Sequence, residues 1–319
     1  MSIFDKIRRH AAVAAGDFAA MFKDVEIPAL PASAAGLIAE INRPEPDAPR
    51  VTQAISASPE LSAKVLRTVN SSFYSLRNRV TTVGHAVSLL GLRQVRSIAL
   101  SHTMMTAVPR PSEDLFDHGA FWTDSLVRAL IARSLRRRTN PKDADEAFTT
   151  MLLADVAIPV LMSEWTDYYG PLFATWPGSK SRLSALERVK FQWDHSQAGA
   201  GVLQAWGFPE EMICFVATHT RTRKEIRELG IEETIALPVA VAALTPSVLQ
   251  PDPARGALMV SEAKAAFGLD RDGLSDIIDG VRVDLEVMLC LFGLDDRGAS
   301  AMLEEMVCAE APAGSEGTP

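Results

Sequence analysis

The sequence is short of cysteine and has no apolar run typical of a membrane helix, and each shortage excludes a class of protein. Its three cysteines, Cys214, Cys290 and Cys308, stand far apart without a C-x-x-C pair, so neither a disulfide framework nor a zinc knuckle is indicated. The longest uncharged stretch, 234–251, contains three prolines, which a lipid-spanning helix rarely accommodates. We therefore predict a cytoplasmic protein without a membrane span.

Positive charge is also in the minority. The 32 lysines and arginines are outnumbered by 40 acidic residues, which gives a net charge of -8. This balance argues against bulk attraction to nucleic acid or to an anionic membrane surface. There is also no Gly-rich phosphate loop and no G-x-S-x-G motif, so nucleophilic catalysis has no visible support.

Apolar residues recur at helical spacing through most of the chain. In the segment 274–292 they keep this spacing for five turns, and Gly293 then ends the pattern. Alternation of apolar and polar residues, which would indicate strands, is not convincing anywhere. The sequence therefore predicts an all-α protein, a multi-helix bundle with additional N-terminal and C-terminal helices.

Prolines and composition divide the chain into four parts. Residues 1–24 predict an amphipathic helix, and residues 25–225 predict a helical domain with a proline-rich entry segment. Residues 226–310 predict shorter helices, rich in alanine and valine, that pack against this domain. The small polar residues of 311–319 predict a disordered tail.

Several side chains predict where helices begin and end. Thr82 is a capping residue, and Gly91 tolerates the left-handed turn that ends a helix. Ser184 and Glu187 form a capping-box pattern. The arginines of 136–138 would complement the C-terminal end of a helix dipole, and we interpret them as a solvated helix end, with an anion-binding site as the less favoured alternative.

Two histidines and two tryptophans are interpreted as residues of the core or its boundary. His85 and His102 lie on largely apolar helical faces and predict core or boundary positions. Trp193 and Trp206 are interpreted as core aromatic residues, with the lining of a ligand cleft as the alternative.

Several segments in a fixed order, from near Pro28 to near Thr220, resemble one known family. They are SPEL at 58–61, KVLRTVNS at 64–71, AVSLLG at 86–91, FWTDS at 121–125, MLLAD at 151–155, DHSQAGAGVLQAWGFPEEM at 194–212, and His219. This pattern resembles the HDOD family, bacterial signalling modules related to the HD metal-dependent phosphohydrolases. The resemblance implies an HD-domain-like helical bundle and a role in signal transduction.

The related enzymes hold a divalent metal with histidines and aspartates from separate helices, so that bound water loses a proton and attacks phosphate. The resemblance places Asp124 where the first family histidine stands and Ala154 at the histidine of the HD doublet. Asp155 matches the aspartate of that doublet, and His195 and His219 match later histidines.

Important ligands of such a site are missing from this chain. The methyl group of Ala154 cannot bind a metal, and Thr220 stands where a second histidine often accompanies the last one. The segment 236–245, where the enzymes carry a closing aspartate, contains no acidic residue. We therefore expect no catalytic residue, no cofactor and no resident metal ion. The candidates for a relic pocket are Asp124, Asp155, His195 and His219.

The predicted function is non-catalytic bacterial signal transduction, in which the domain binds a signalling protein partner or a ligand. A weakly bound divalent metal is an alternative, because two carboxylates can hold magnesium when substrate phosphates supply further oxygens. A second function remains open: a divergent metal-dependent phosphohydrolase acting on a nucleotide or cyclic dinucleotide. The third is a nucleotide receptor that holds phosphate in the relic cleft or through the arginines of 133–138.

Overall fold

The computed structural model describes residues 27–41, 43 and 47–308, and within them the protein is all-α. These residues contain no β-strand, only an isolated bridge between Ser247 and Gln250. The all-α prediction is therefore confirmed. The predicted helix of 1–24 and the predicted tail of 311–319 lie outside the described residues.

Helices follow one another through the described chain. Their bounds are α1 (Ala32–Ile41), α2 (Ala48–Ser56), α3 (Pro59–Val69), α4 (Val83–Leu90), α5 (Leu92–Ala107), α6 (His118–Thr139), α7 (Ala144–Leu152), α8 (Ala157–Glu164), α9 (Thr166–Thr175), α10 (Leu183–Phe191), α11 (His195–Ala205), α12 (Glu210–Thr218), α13 (Arg223–Glu228), α14 (Ala236–Ala242), α15 (Pro253–Phe267), α16 (Arg271–Phe292) and α17 (Ala299–Cys308).

Local sequence explains where the first helices begin and end. The Ser58 hydroxyl accepts a hydrogen bond from the Leu61 N–H at 3.2 Å, and proline fills the first position of α3. The Thr82 side chain caps α4 as predicted. Gly91, at φ +86°, turns the chain from α4 directly into α5, a conformation that a residue with a Cβ rarely adopts.

The long helix α6 lies at the centre of the bundle. Its start is fixed by Asp117, whose carboxylate accepts from the Ala120 N–H at 3.0 Å. Most of its residues are buried because α7, α14 and α16 all pack against it. This placement puts the polar residues of α6 inside the protein, where they need partners.

The arginine run at the end of α6 is the solvated helix end that the sequence predicts, except at its first residue. Arg136 is buried, with Nη2 2.8 Å from a carboxylate oxygen of Asp143. Arg133, one turn earlier, is also buried and lies 2.8 Å from Asp145. Residues 137–139 are exposed. Because carboxylates already pair with the two buried guanidinium groups, an anion site at this helix end finds no support.

The predicted capping box at the start of α10 is wrong. The helix begins at Leu183, and the residue before it, Arg182, makes no side-chain capping bond. Ser184 lies in the first turn, and Glu187 lies in the middle of the helix with no exposed surface. The Glu187 carboxylate is instead part of the internal polar site described below.

The C-terminal helices share one hydrophobic core with the rest of the protein. The apolar face of α16 packs on α6, and buried apolar residues form a single cluster from Leu37 to Met306. The loop after α16 also holds the start of α6, since Thr123 Oγ1 donates to the carbonyl of Asp295 at 2.9 Å.

One segment, 141–164, is long and apolar enough to match a membrane helix by composition, with a mean hydropathy of 1.4. In the fold it is not one continuous helix but a 3-10 turn, α7, a further turn and α8. Of its apolar window, 89% is buried inside the protein. The described residues therefore contain no clear membrane span, because a core segment satisfies the same criterion.

The two histidines assigned to apolar faces differ in the structure. His102 is in the core as predicted, with Nε2 2.8 Å from the hydroxyl of Thr68 and its ring against Phe292. His85 is exposed. Burial, with a smaller contribution from the positive charges of Lys64 and Arg67, lowers the pKa of His102 to about 4.

We expect His102 to make the protein less stable as the pH falls from 6.5 to 4. The pKa of His102 is near 6.5 in the unfolded chain and about 4 in the folded protein. Between these two pH values the unfolded chain binds a proton at His102 and the folded protein does not. The contribution of His102 to the free energy of unfolding is therefore fully present above pH 6.5 and falls by about 3 kcal/mol towards pH 4. His102→Gln should flatten this part of the curve of unfolding free energy against pH, measured by urea denaturation. An unchanged slope would assign the acid sensitivity to other groups.

Candidate functional site

Three of the four relic-pocket candidates meet in the interior. Asp155 lies in the turn between α7 and α8, His195 is the first residue of α11, and His219 directly follows α12. The Asp155 Oδ1 atom lies 3.3 Å from Nε2 of His195 and 3.1 Å from Nε2 of His219. All three residues are buried.

A glycine lets the two histidine-bearing helices come together. A Cβ at Gly199 on α11 would lie 3.0 Å from a methyl group of Val216 on α12 and 3.3 Å from the carbonyl oxygen of Ala154. Both distances are tighter than ordinary contacts, so a larger residue would push α11 away from α12. The small residue therefore keeps His195 within reach of Asp155.

The outer nitrogen of each imidazole is also held. His195 Nδ1 lies 2.6 Å from Glu187 Oε2, which also accepts the His195 backbone N–H at 2.9 Å. His219 Nδ1 lies 2.7 Å from the carbonyl oxygen of Val216. The other oxygen of Glu187 accepts from the Tyr169 hydroxyl. Such partners fix the ring orientation and are typical of histidines that bind metals.

An arginine occupies the other side of the aspartate. Arg128 Nη1 lies 2.7 Å from Asp155 Oδ2, and its Nε donates to the carbonyl of Thr245 at 3.3 Å. Arg128 is one turn after Asp124 on α6, a spacing that places the two residues on one helix face. That spacing is the signal that could have identified Arg128 from the sequence.

Asp124, the fourth candidate, lies outside the cluster. Its carboxylate accepts hydrogen bonds from the Ser247 hydroxyl and, at 2.8 Å, from the Val248 N–H. Burial raises the pKa of Asp124 to about 6, although Arg128 and the hydrogen bond from Ser247 act in the opposite direction. Asp124 therefore fixes the loop after α14 instead of facing the histidines.

The ionisation of the cluster follows from burial and its close partners. Burial acts to raise the pKa of Asp155, but hydrogen bonds from His195 and His219 and the charge of Arg128 hold it well below its usual range. Burial acts to lower the pKa of His195, but the charge of Glu187 and the hydrogen bonds with Asp155 and Glu187 raise it to about 10. The cluster thus contains an imidazolium between two carboxylates.

The donor atoms of the cluster suit a divalent metal better than its charges do. One carboxylate oxygen and two imidazole nitrogens lie within 4.8 Å of one another, and this ligand set is known to bind iron or zinc. However, Ala154 supplies no ligand, and the guanidinium of Arg128 already balances Asp155. The charges around Asp155 therefore do not fit a tightly held hydrolytic metal ion.

A cavity of about 60 Å³ opens beside Asp155, and three arginines line it. They are Arg128, Arg182 and Arg255, and we call this cavity the arginine pocket. A single buried water needs roughly 10–15 Å³, so the pocket has room for several waters or for one small oxyanion. The sequence carried no sign that Arg182 and Arg255, which are far apart in the chain, would meet here.

The two tryptophans that the sequence assigns to the core lie there. Trp193 and Trp206 are buried as expected, and neither lines the arginine pocket. The Trp206 indole N–H donates to the carbonyl of Pro28 at 2.8 Å and so ties the entry segment to the end of α11. The tryptophan that does line the pocket is Trp176, which no sequence pattern singled out.

Comparison with known proteins places this geometry in a family. Residues 27–222 match the HDOD domain family. None of the curated proteins compared with the chain matches it.

Three solved structures share the fold. An HDOD domain protein with unknown function from Geobacter sulfurreducens has 18% identity and a TM-score of 0.63, with 86% of this chain and 96% of that chain covered. A protein from Marinobacter aquaeolei, named for signal transduction, has 18% identity and a TM-score of 0.60 over 95% of this chain and 67% of its own. A third structure, from Shewanella amazonensis and named as a phosphohydrolase, has 22% identity and a TM-score of 0.57. The match covers 89% of this chain and 95% of that chain. Because the three identities are this low, the comparison with these structures shows a shared fold and nothing further.

Proposed function

Because the chain belongs to the HDOD family, we propose that it is a non-catalytic bacterial signal-transduction protein whose metal site has degenerated. The family model covers most of the helices that surround the cluster. The proposed role is to bind a signalling partner protein or a ligand in the cytoplasm, without turnover. Fold alone does not fix function, so the proposal depends on the chemistry of the site.

The observation that carries the proposal is the ion pair between Arg128 and Asp155, 2.7 Å apart in the interior. In a hydrolase of this type the aspartate would balance a metal ion that activates water. Here a side chain that cannot activate water supplies the positive charge. Because both partners are largely buried, separating them would leave an uncompensated charge.

The cluster of Asp155, His195 and His219 favours one competing function, a divergent metal-dependent phosphohydrolase. It retains three of the donor atoms that such an enzyme needs, together with hydrogen-bond partners for the Nδ1 atoms of both histidines. It lacks the ligands lost at Ala154 and in the helix α14, which contains no acidic residue. Non-catalytic signalling is the function that the site supports better.

Metal analysis with an activity assay separates the two functions. Protein purified without chelators is expected to contain far less than one equivalent of iron, manganese or zinc, and to leave nucleotides and cyclic dinucleotides intact when these metals are added. The measurements are elemental analysis and chromatographic detection of products. Stoichiometric metal together with phosphodiesterase activity that Asp155→Ala abolishes would overturn the proposal.

A further inference from the structure

The arginine pocket is lined by buried polar groups that lack partners. Among the described residues, eight side-chain atoms are buried without a hydrogen-bond partner, and three of them belong to residues that line this cavity. They are Trp176 Nε1, Thr245 Oγ1 and Arg255 Nη2. Trp176 and Thr245 are only 8% and 2% exposed. Unsatisfied buried donors are rare and costly, so three such groups among the residues of one cavity wall favour an acceptor as its occupant.

Positive charge is crowded around the same cavity. Arg182 has no carboxylate within ion-pair distance among the described residues, and its guanidinium donates to the carbonyl of Ala243 at 3.4 Å. Burial, together with the charges of Arg128 and Arg188, lowers the pKa of Arg182 to about 10, although the more distant carboxylate of Asp155 acts in the opposite direction. A guanidinium held next to other cations without a carboxylate partner costs stability and favours binding of an anion.

The charges that line the arginine pocket do not cancel. Its lining contains three guanidinium groups and one carboxylate, that of Asp155. Outside the lining, Asp252 approaches Arg255 at 3.4 Å. Asp252 offsets one of the three guanidinium groups, so the pocket keeps an excess of one positive charge when the paired His195 and Glu187 are left aside, and this excess favours an anionic occupant.

The wall of the pocket is held in place by hydrogen bonds. The buried amide of Gln250 donates to the carbonyls of Trp176 and Ser179, and its oxygen accepts from Arg255 Nη1 at 2.6 Å. Asp124 holds the neighbouring loop through Ser247. These contacts orient Arg255 and hold the backbone of Trp176 before any ligand binds, and preorganisation of this kind favours affinity.

A second depression adjoins the arginine pocket. It has a volume of about 280 Å³ and shares Arg182 and Leu244 with the pocket. Its wall includes the apolar side chains of Leu237, Val241 and Leu258. A ligand whose anionic group lies in the arginine pocket could therefore place an apolar part against this wall.

We propose that the arginine pocket binds the phosphate group of a small organic phosphate monoester, with the apolar or aromatic part of the ester in the adjoining depression. Arg182, Arg255 and Thr245 hold the phosphate oxygens. This proposal rests on the non-catalytic function proposed above, because the ligand is held and not hydrolysed. Guanidinium groups recognise phosphate through paired, charge-assisted hydrogen bonds.

Calorimetric titration and thermal unfolding of the full chain with inorganic phosphate and with phenyl phosphate test the proposal. Both are expected to bind and to raise the unfolding temperature, whereas acetate and chloride at equal ionic strength do not. Arg182→Ala and Arg255→Ala are each expected to weaken phosphate binding at least about tenfold. Arg282→Ala is the matched control, since Arg282 pairs with surface carboxylates of Asp279 and Glu304.

A readout without ligand distinguishes binding from a structural role. In phosphate-free chloride buffer Arg182→Ala should be at least as stable as the wild type, because the substitution removes one of the crowded positive charges. Arg182→Lys keeps the charge but not the planar fork, so it should fold and still bind phosphate more weakly. Wild type that shows no phosphate-specific binding, or variants that bind phosphate as the wild type does, would overturn the site.

Failure of the two proposals would look different. Release of inorganic phosphate from phenyl phosphate, followed colorimetrically, would overturn the non-catalytic function while leaving an anion site. Absence of binding in the titrations would remove the anion site while leaving the function proposed from the Arg128 ion pair.

Discussion

Replacing Glu187 with alanine is expected to lower the free energy of unfolding by about 3–5 kcal/mol. The carboxylate is fully buried and accepts from the Tyr169 hydroxyl and from both the backbone and the ring of His195. Its removal leaves a buried imidazolium without its main counter-charge and a buried hydroxyl without an acceptor. Chemical denaturation at neutral pH measures the loss.

A surface glutamate provides the control for this experiment. Glu262 pairs with Arg223 at 2.9 Å, with both side chains about one third exposed, so Glu262→Ala should cost no more than about 1 kcal/mol. Glu187→Gln keeps the volume and one acceptor, and its loss should lie between the two. If Glu187→Ala were no more costly than Glu262→Ala, the internal network would contribute little to stability.

Replacing Arg128 with methionine is the second change with a large expected effect, a loss of about 3 kcal/mol or more. Methionine can fill much of the space left by the arginine stem, but it leaves Asp155 Oδ2 without the guanidinium that now lies 2.7 Å away. Denaturation of Arg128→Met, Asp155→Asn and the double variant forms a cycle. The double variant should be less destabilised than the sum of the two single variants by about 1–3 kcal/mol.

Divalent cations add a test of what Arg128 does. If its guanidinium takes the place of a metal, manganese should stabilise Arg128→Met more than it stabilises the wild type, because the carboxylate of Asp155 then lacks the guanidinium that now neutralises it. Arg223→Met, which breaks only the surface pair, should not respond. Equal responses of Arg128→Met and wild type to manganese would show that the arginine does not exclude the metal.

Sequence patterns predicted the fold well because the fold depends on periodic apolar residues and on local caps. The face of α16 and the cap at Thr82 are of this kind, since neighbours in the chain decide them. The capping box at Glu187 was wrong for the opposite reason. Its spacing fits a helix start, but His195, eight residues later, offers a stronger partner for the buried carboxylate.

The site was predictable only where the family resemblance supplied it. Asp155, His195 and His219 do meet, as their places in the family pattern imply, whereas Asp124 binds a loop that the pattern does not include. Arg182 lies before α10 and lines the same pocket as residues of the loop after α14. Contacts of this kind depend on the packing of whole helices, which spacing within one segment does not encode.

The wall of the arginine pocket comes from two stretches of the chain, one inside the family match and one beyond it. His195 and His219 lie within the family match of 27–222, whereas Thr245, Ser247 and Arg255 lie beyond it. A fragment cut at the end of the match would therefore retain the two histidines and Arg182 but lose Thr245, Ser247 and Arg255, and with them one side of the pocket wall.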